Sequence, residues 1–173
     1  MTTRIRRNAA LLLALCALAA CGLPPMISDT GYRGTWRRGN DLNVSIVAIT
    51  ESSGTWYFRW SRRSSDGKYN VVCDWDGSCD EWLDGKRVAT YTVTTRFDPA
   101  SGLLSTDTVE ERLDPRKETR RYSDVMEVKD GGLTLWNYTT DRDGQHFEGT
   151  GRPMRSFTKI ANSVASPPGS TRR

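Results

Sequence analysis

The chain is poor in the residues that most chemistry uses. One histidine stands among 173 residues. Imidazole is the commonest metal ligand and general base at neutral pH. His146 lies in a loop segment with no cysteine or second base matched to it. There is no Gly-x-Ser-x-Gly, no His-Glu-x-x-His and no glycine loop shaped to cradle phosphate. A pair of carboxylates meeting in space, as in glycosidases, would leave no mark in the sequence. The sequence therefore reads as non-enzymatic, with no cofactor and no metal site expected. Beyond residue 20 no long apolar run occurs, so nothing there has the length of a spanning helix. No stretch carries the period of an amphipathic helix either. An excess of positive charge is also missing where it would matter. The 25 Lys and Arg outnumber the 21 Asp and Glu by four. Three of the basic residues, Arg4, Arg6 and Arg7, fall in the first twenty positions. The remaining 22 against 21 leaves +1, which gives no basis for nucleic-acid binding.

What is present begins at the N-terminus. The three arginines precede an unbroken apolar run, Ala9 to Ala20, whose twelve residues would span only about 18 Å as a helix. That is too short for the ~30 Å bilayer core and suits the h-region of a signal peptide. The run ends in Leu18-Ala19-Ala20-Cys21. This resembles the bacterial lipobox, which implies a diacylglycerol thioether on Cys21, cleavage before it, and anchorage by two or three acyl chains such as palmitate. Gly22, not Asp, follows, which resembles the default for sorting to the outer membrane of a diderm, facing the periplasm. The expected organisation is a lipoprotein signal peptide over 1–20, a lipidated tether stiffened by Pro24-Pro25 over 21–31, a single β domain over 32–161 and a disordered tail over 162–173.

Removal of Cys16 with the signal and lipidation of Cys21 leaves Cys73 and Cys79 in an oxidising compartment. They flank Asp74-Trp75-Asp76-Gly77-Ser78, and Asp-Gly is a hairpin signal. A disulfide across this hairpin is expected. The spacing is not C-x-x-C, which argues against a redox-active pair.

The domain itself reads as strands of period two separated by short turns. Leu42 to Thr50 alternates, predicting Leu42, Val44, Ile46 and Ala48 on one face and Asn43 and Ser45 on the other. Thr55 to Arg62 puts Trp56, Phe58 and Trp60 on one side. Further strands are predicted over Tyr69–Cys73, Cys79–Leu83, Lys86–Phe97, Leu103–Leu113, Glu118–Lys129, Leu133–Thr139 and Met154–Ile160. The fold class is all-β: a single antiparallel up-and-down barrel of about eight strands, the size at which a sheet closes and removes its edges.

Gly34-Thr35-Trp36, ahead of such a meander, resembles the Gly-x-Trp motif on the first strand of lipocalins and lipocalin-like barrels. The resemblance implies that Trp36 plugs the closed end beneath an arginine of the last strand, a part that falls to Arg155. The second motif of that family, Thr-Asp-Tyr, is matched as Thr140-Asp141-Arg142, with arginine in place of tyrosine.

Three constellations stand out. Trp56, Phe58, Trp60, Tyr91 and Trp136 (with Tyr138) are candidates to line a pocket for a small apolar ligand, although a filled core buries the same stripe. Trp136 and Tyr138 also suit an outward face. Asp74, Asp76, Asp80, Glu81 and Asp84 suggest calcium, which needs six to eight oxygens; however, the glycine is misplaced for an EF-hand loop, and Asp-Gly is ordinary turn chemistry. Glu110-Glu111-Arg112 opposite Lys117 to Arg121 reads as a solvated charged face, with a partner-docking face as the alternative. The sequence thus points to a lipid-anchored envelope protein whose lipocalin-like barrel takes a small apolar ligand. The alternative is a structural or interaction protein, of inhibitor type for instance, with a filled core.

Overall fold

The computed structural model describes residues 30–39, 43–115, 117–142, 144–149, 153–164 and 167. The signal segment, Cys21 and most of the expected tether and tail lie outside these residues. Among the described residues eleven strands follow one another: β1 (Gly34–Arg38), β2 (Asn43–Ser52), β3 (Thr55–Ser64), β4 (Tyr69–Cys73), β5 (Ser78–Leu83), β6 (Lys86–Asp98), β7 (Leu103–Arg112), β8 (Thr119–Lys129), β9 (Gly132–Arg142), β10 (Gln145–Glu148) and β11 (Pro153–Ala161). No helix occurs among the described residues.

β1 to β9 form an antiparallel meander, and β11 returns to lie between β9 and β1. This closes a barrel of ten strands, where about eight were expected. The barrel strand the sequence reading lacks is β1, five residues long with only Gly34 and Trp36 buried, too short to show alternation. β10, also unread, is exposed at all four positions and lies outside the ten-strand ring, paired to β9 alone. β10 and β11 share one edge of β9: β10 pairs with Thr139 to Arg142 and β11 with Gly132 to Trp136. β8 pairs along the opposite edge of β9.

The turns are built as the sequence asks. Gly77 has φ +87°, and a Cβ there would stand 2.1 Å from the carbonyl oxygen of Val93. Only glycine fits so close an approach. Its own carbonyl accepts the Val93 N–H at 2.8 Å, which ties the β4–β5 turn to β6. Cys73 and Cys79 face each other in register and form the expected disulfide, with Cα atoms 3.9 Å apart.

Successive turns alternate between the two ends of the barrel. One end carries the β2–β3, β4–β5, β6–β7 and β8–β9 turns, together with the entry to β1 and the exit of β11. This end is the floor. It is filled by Tyr32, Trp36, Ile49, Leu104, Met126 and Leu133, with Trp56, Phe97 and Val128 packed against them. Each such side chain contributes on the order of 1.5–3 kcal/mol relative to exposure.

Two face assignments differ from expectation. On β2 the inward residues are Ser45, Val47 and Ile49, because Val47 pairs with Trp36 on one side and Trp60 on the other. Val44 and Ile46 take the outer face. This strand is apolar on both faces, so alternation alone left the choice of face open, and the neighbouring tryptophans decide it. On β7 and β8 the charged run is not a solvated face. Glu110 and Glu118 are buried, while Glu111, Thr119 and Arg121 are exposed.

Candidate functional site

Above the floor the interior opens into a cavity of about 260 Å³. Its apolar wall is made by Val47, Phe58, Trp60, Val93, Leu135 and Phe157, with Cys79 of the disulfide beside them. Its polar wall, toward the other end, is made by Arg62, Tyr69, Glu110, Tyr122, Asp124 and Arg155. The interior therefore runs from hydrocarbon at the floor to charge at the far end.

The candidate residues divide between these regions. Phe58, Trp60 and Tyr91 line the cavity. Trp56 sits lower, in the floor, with its ring centroid 5.0 Å from Phe97 and 6.1 Å from Tyr32. Trp136 does not reach the cavity. It pairs with Val125 and Pro153 on the outer face, one residue out of step with inward Leu135. The side chain of Tyr138 lies outside what the structure describes.

Trp36 is buried in the floor, its Nε1–H donating to the Tyr32 carbonyl at 3.0 Å. The cation over its ring is not Arg155. Lys159 takes that place, with Nζ 4.9 Å from the ring centroid and a bond donated to the Gly31 carbonyl at 3.2 Å. Lys159 lies four residues further along β11, nearer the floor and at the level of Trp36, whereas Arg155 stands in the polar half and lines the cavity.

The polar wall is largely engaged within itself. Tyr91 O–H donates to Glu81, and Tyr122 O–H donates to Glu110. Burial, and then the neighbouring carboxylate, pushes each phenol well above its ordinary range. Arg112 donates to Glu110 at 3.3 Å and to Asp114 at 2.9 Å. Arg120 meets Glu118 through two nitrogens at 2.7 and 2.6 Å, and Arg142 adds a third bond at 2.6 Å. These arginines hold the Glu118 carboxyl down to about 2.

The acidic group around the β4–β5 hairpin does not converge. Glu81 points inward, Asp80 points outward to Arg87 at 3.2 Å, and Asp76 caps Ser78 within its own turn. Among the described residues no group of three or more His, Cys, Asp or Glu is placed to hold a metal.

Sequence reasoning missed Arg62, Tyr69, Glu110, Tyr122 and Asp124 as cavity residues. For Arg62 a signal existed. It continues the inward stripe Trp56, Phe58, Trp60 by one more step of two.

Fold and site together define a closed antiparallel β-barrel, plugged at one end and holding a small amphipathic cavity. Comparison with protein-family models, curated proteins and solved structures finds no match to the chain.

Proposed function

We propose that this chain is a lipid-anchored protein of the bacterial cell envelope, held through Cys21, and that its lipocalin-like barrel carries a small ligand with an apolar body. In a diderm host the anchor is in the outer membrane and the barrel faces the periplasm. The observation that supports ligand binding most is the 260 Å³ cavity above a packed floor. An interior that served packing alone would be filled to native density. The volume falls just below the ~300–1,000 Å³ of drug-sized sites. This suits one short chain or ring and excludes a diacyl lipid. A fold by itself does not assign a function, so the reading stands on the site.

A second reading, an interaction protein acting through its surface, draws on Val72 and Trp82, which are exposed side by side on the outer face of β4 and β5. Native mass spectrometry of the whole processed chain separates the two. An adduct of up to a few hundred daltons, lost on denaturation, supports the carrier. A clean apo mass, with no change in tryptophan fluorescence on adding short amphiphiles, supports the interaction protein. The anchor is tested by Cys21→Ser, for which loss of fatty-acid labelling and of membrane retention is expected; continued labelling overturns it.

A further inference from the structure

Two charges of the polar wall are left out of its internal network. Arg62 and Arg155 both line the cavity. Among the described residues neither guanidinium donates a hydrogen bond, and neither has a carboxylate within 4 Å. Arg62 meets only the ring of Tyr69, at 5.3 Å. By contrast Glu81, Glu110, Glu118, Arg112 and Arg120 are bonded to one another or to tyrosines. Asp124, which shares the cavity, has an interaction of its own. Partly buried charge without a partner is costly, and two like charges facing one space add to the cost. Burial lowers the proton affinity of Arg155, and the cations Arg62 and Arg38 lower it further, with Asp124 and Tyr69 acting the other way. An anion placed between the two guanidiniums would relieve both. Planar guanidinium donors match carboxylate geometry.

We propose that Arg62 and Arg155 receive the headgroup of a single-chain anionic amphiphile, a medium-chain carboxylate, whose tail lies along Phe58, Trp60, Val47 and Phe157 toward the floor. This rests on the reading of the cavity as a ligand site and names the ligand class. The positions of the groups set the direction of entry: cations in the outer half of the space, hydrocarbon below. The volume sets the limit at one chain. From Arg62 a second depression continues past Ser45, Asn43 and Arg38, so the headgroup end connects with the rim.

The test is calorimetric titration of the whole chain in nanodiscs of zwitterionic lipid, with empty nanodiscs subtracted, using decanoate, decanol and inorganic phosphate. Decanoate is expected to bind at least tenfold more tightly than decanol, and phosphate alone not measurably. Arg155→Gln and Arg62→Gln should each weaken decanoate at least tenfold and leave decanol unchanged. Retained decanol binding shows that the variants fold. Arg59→Gln, on the outer face over Trp75, should change neither. Equal affinity for decanoate and decanol, or an equal loss of both in the variants, overturns the headgroup assignment while leaving the cavity reading intact. Phosphate binding as tightly as decanoate overturns the need for a tail. Failure of both ten-carbon probes overturns the ligand site itself.

Discussion

Tyr32 precedes the first strand, yet it holds the floor together. Its side chain is 1 % exposed, its hydroxyl donates to the Met126 carbonyl across the barrel at 2.6 Å, and its ring meets Trp56 and Phe97 edge-on at about 6 Å. Two substitutions separate these contributions. Tyr32→Phe keeps the ring and removes the donor, leaving a buried carbonyl short of a partner; the expected cost is about 1–3 kcal/mol. Tyr32→Ala also removes the ring and opens a hole among Ile49, Leu104 and Met126, with an expected cost of about 3–5 kcal/mol. For a domain of this size each kcal/mol lowers Tm by about 2–4 °C. The bond from Trp36 Nε1 goes to the Tyr32 main chain and survives both changes. Urea unfolding followed by tryptophan fluorescence measures both variants, with an unchanged m-value required for the comparison. If Tyr32→Ala costs less than about 1 kcal/mol, the floor is not held by this residue. If the two variants cost the same, the hydroxyl carries the whole effect and the packing argument is wrong.

Two further outcomes follow from the polar wall and the hairpin. Glu118 has a folded pKa of about 2, below the usual glutamate value of about 4.3. A group depressed on folding stabilises above its unfolded pKa and loses that contribution as pH falls toward the folded value. Urea midpoints of the parent should therefore fall between about pH 4.5 and 2 more steeply than those of Glu118→Gln, and parallel curves would refute the role given to Arg120 and Arg142. Reducing the Cys73–Cys79 disulfide, or replacing both residues by serine, should cost roughly 2 kcal/mol, as expected for so short a loop, and an unchanged midpoint under reductant would show that the β5–β6 pairing and the Gly77–Val93 contact alone hold the hairpin.

Much of the barrel was legible because period two and Asp-Gly turns are local signals. Trp56, Phe58 and Trp60 needed only their own strand to declare a face, and Cys73 and Cys79 needed only their spacing. What was not legible depended on partners distant in sequence. The face of β2 is set by Trp36 and Trp60, since Ile46 and Val47 are equally apolar. Glu110 and Glu118 look like surface residues until Arg112, Arg120, Arg142 and Tyr122 are brought around them, because burial of a charge is decided by its partners. β10 is a separate case: its partner Thr139 to Arg142 is next to it in sequence, but its four residues are all exposed and give no apolar alternation to read. The exchange of Lys159 for Arg155 over Trp36 follows from position along β11, which is fixed by the pairing of Trp36 with Lys159.

The closure of the barrel has a consequence for orientation. β1 and β11 are neighbours, and Thr35 pairs with Ala161, so the chain both enters and leaves at the plugged end. If Cys21 carries the proposed acyl anchor, the tether joins the barrel on the floor side, and the two arginines lie toward the opposite end. A protein mounted this way does not draw cargo straight up from the leaflet that holds it. On that proposed anchoring its opening would face the aqueous gap, where a dissolved molecule or a second carrier could reach it, and the membrane would serve as a mooring.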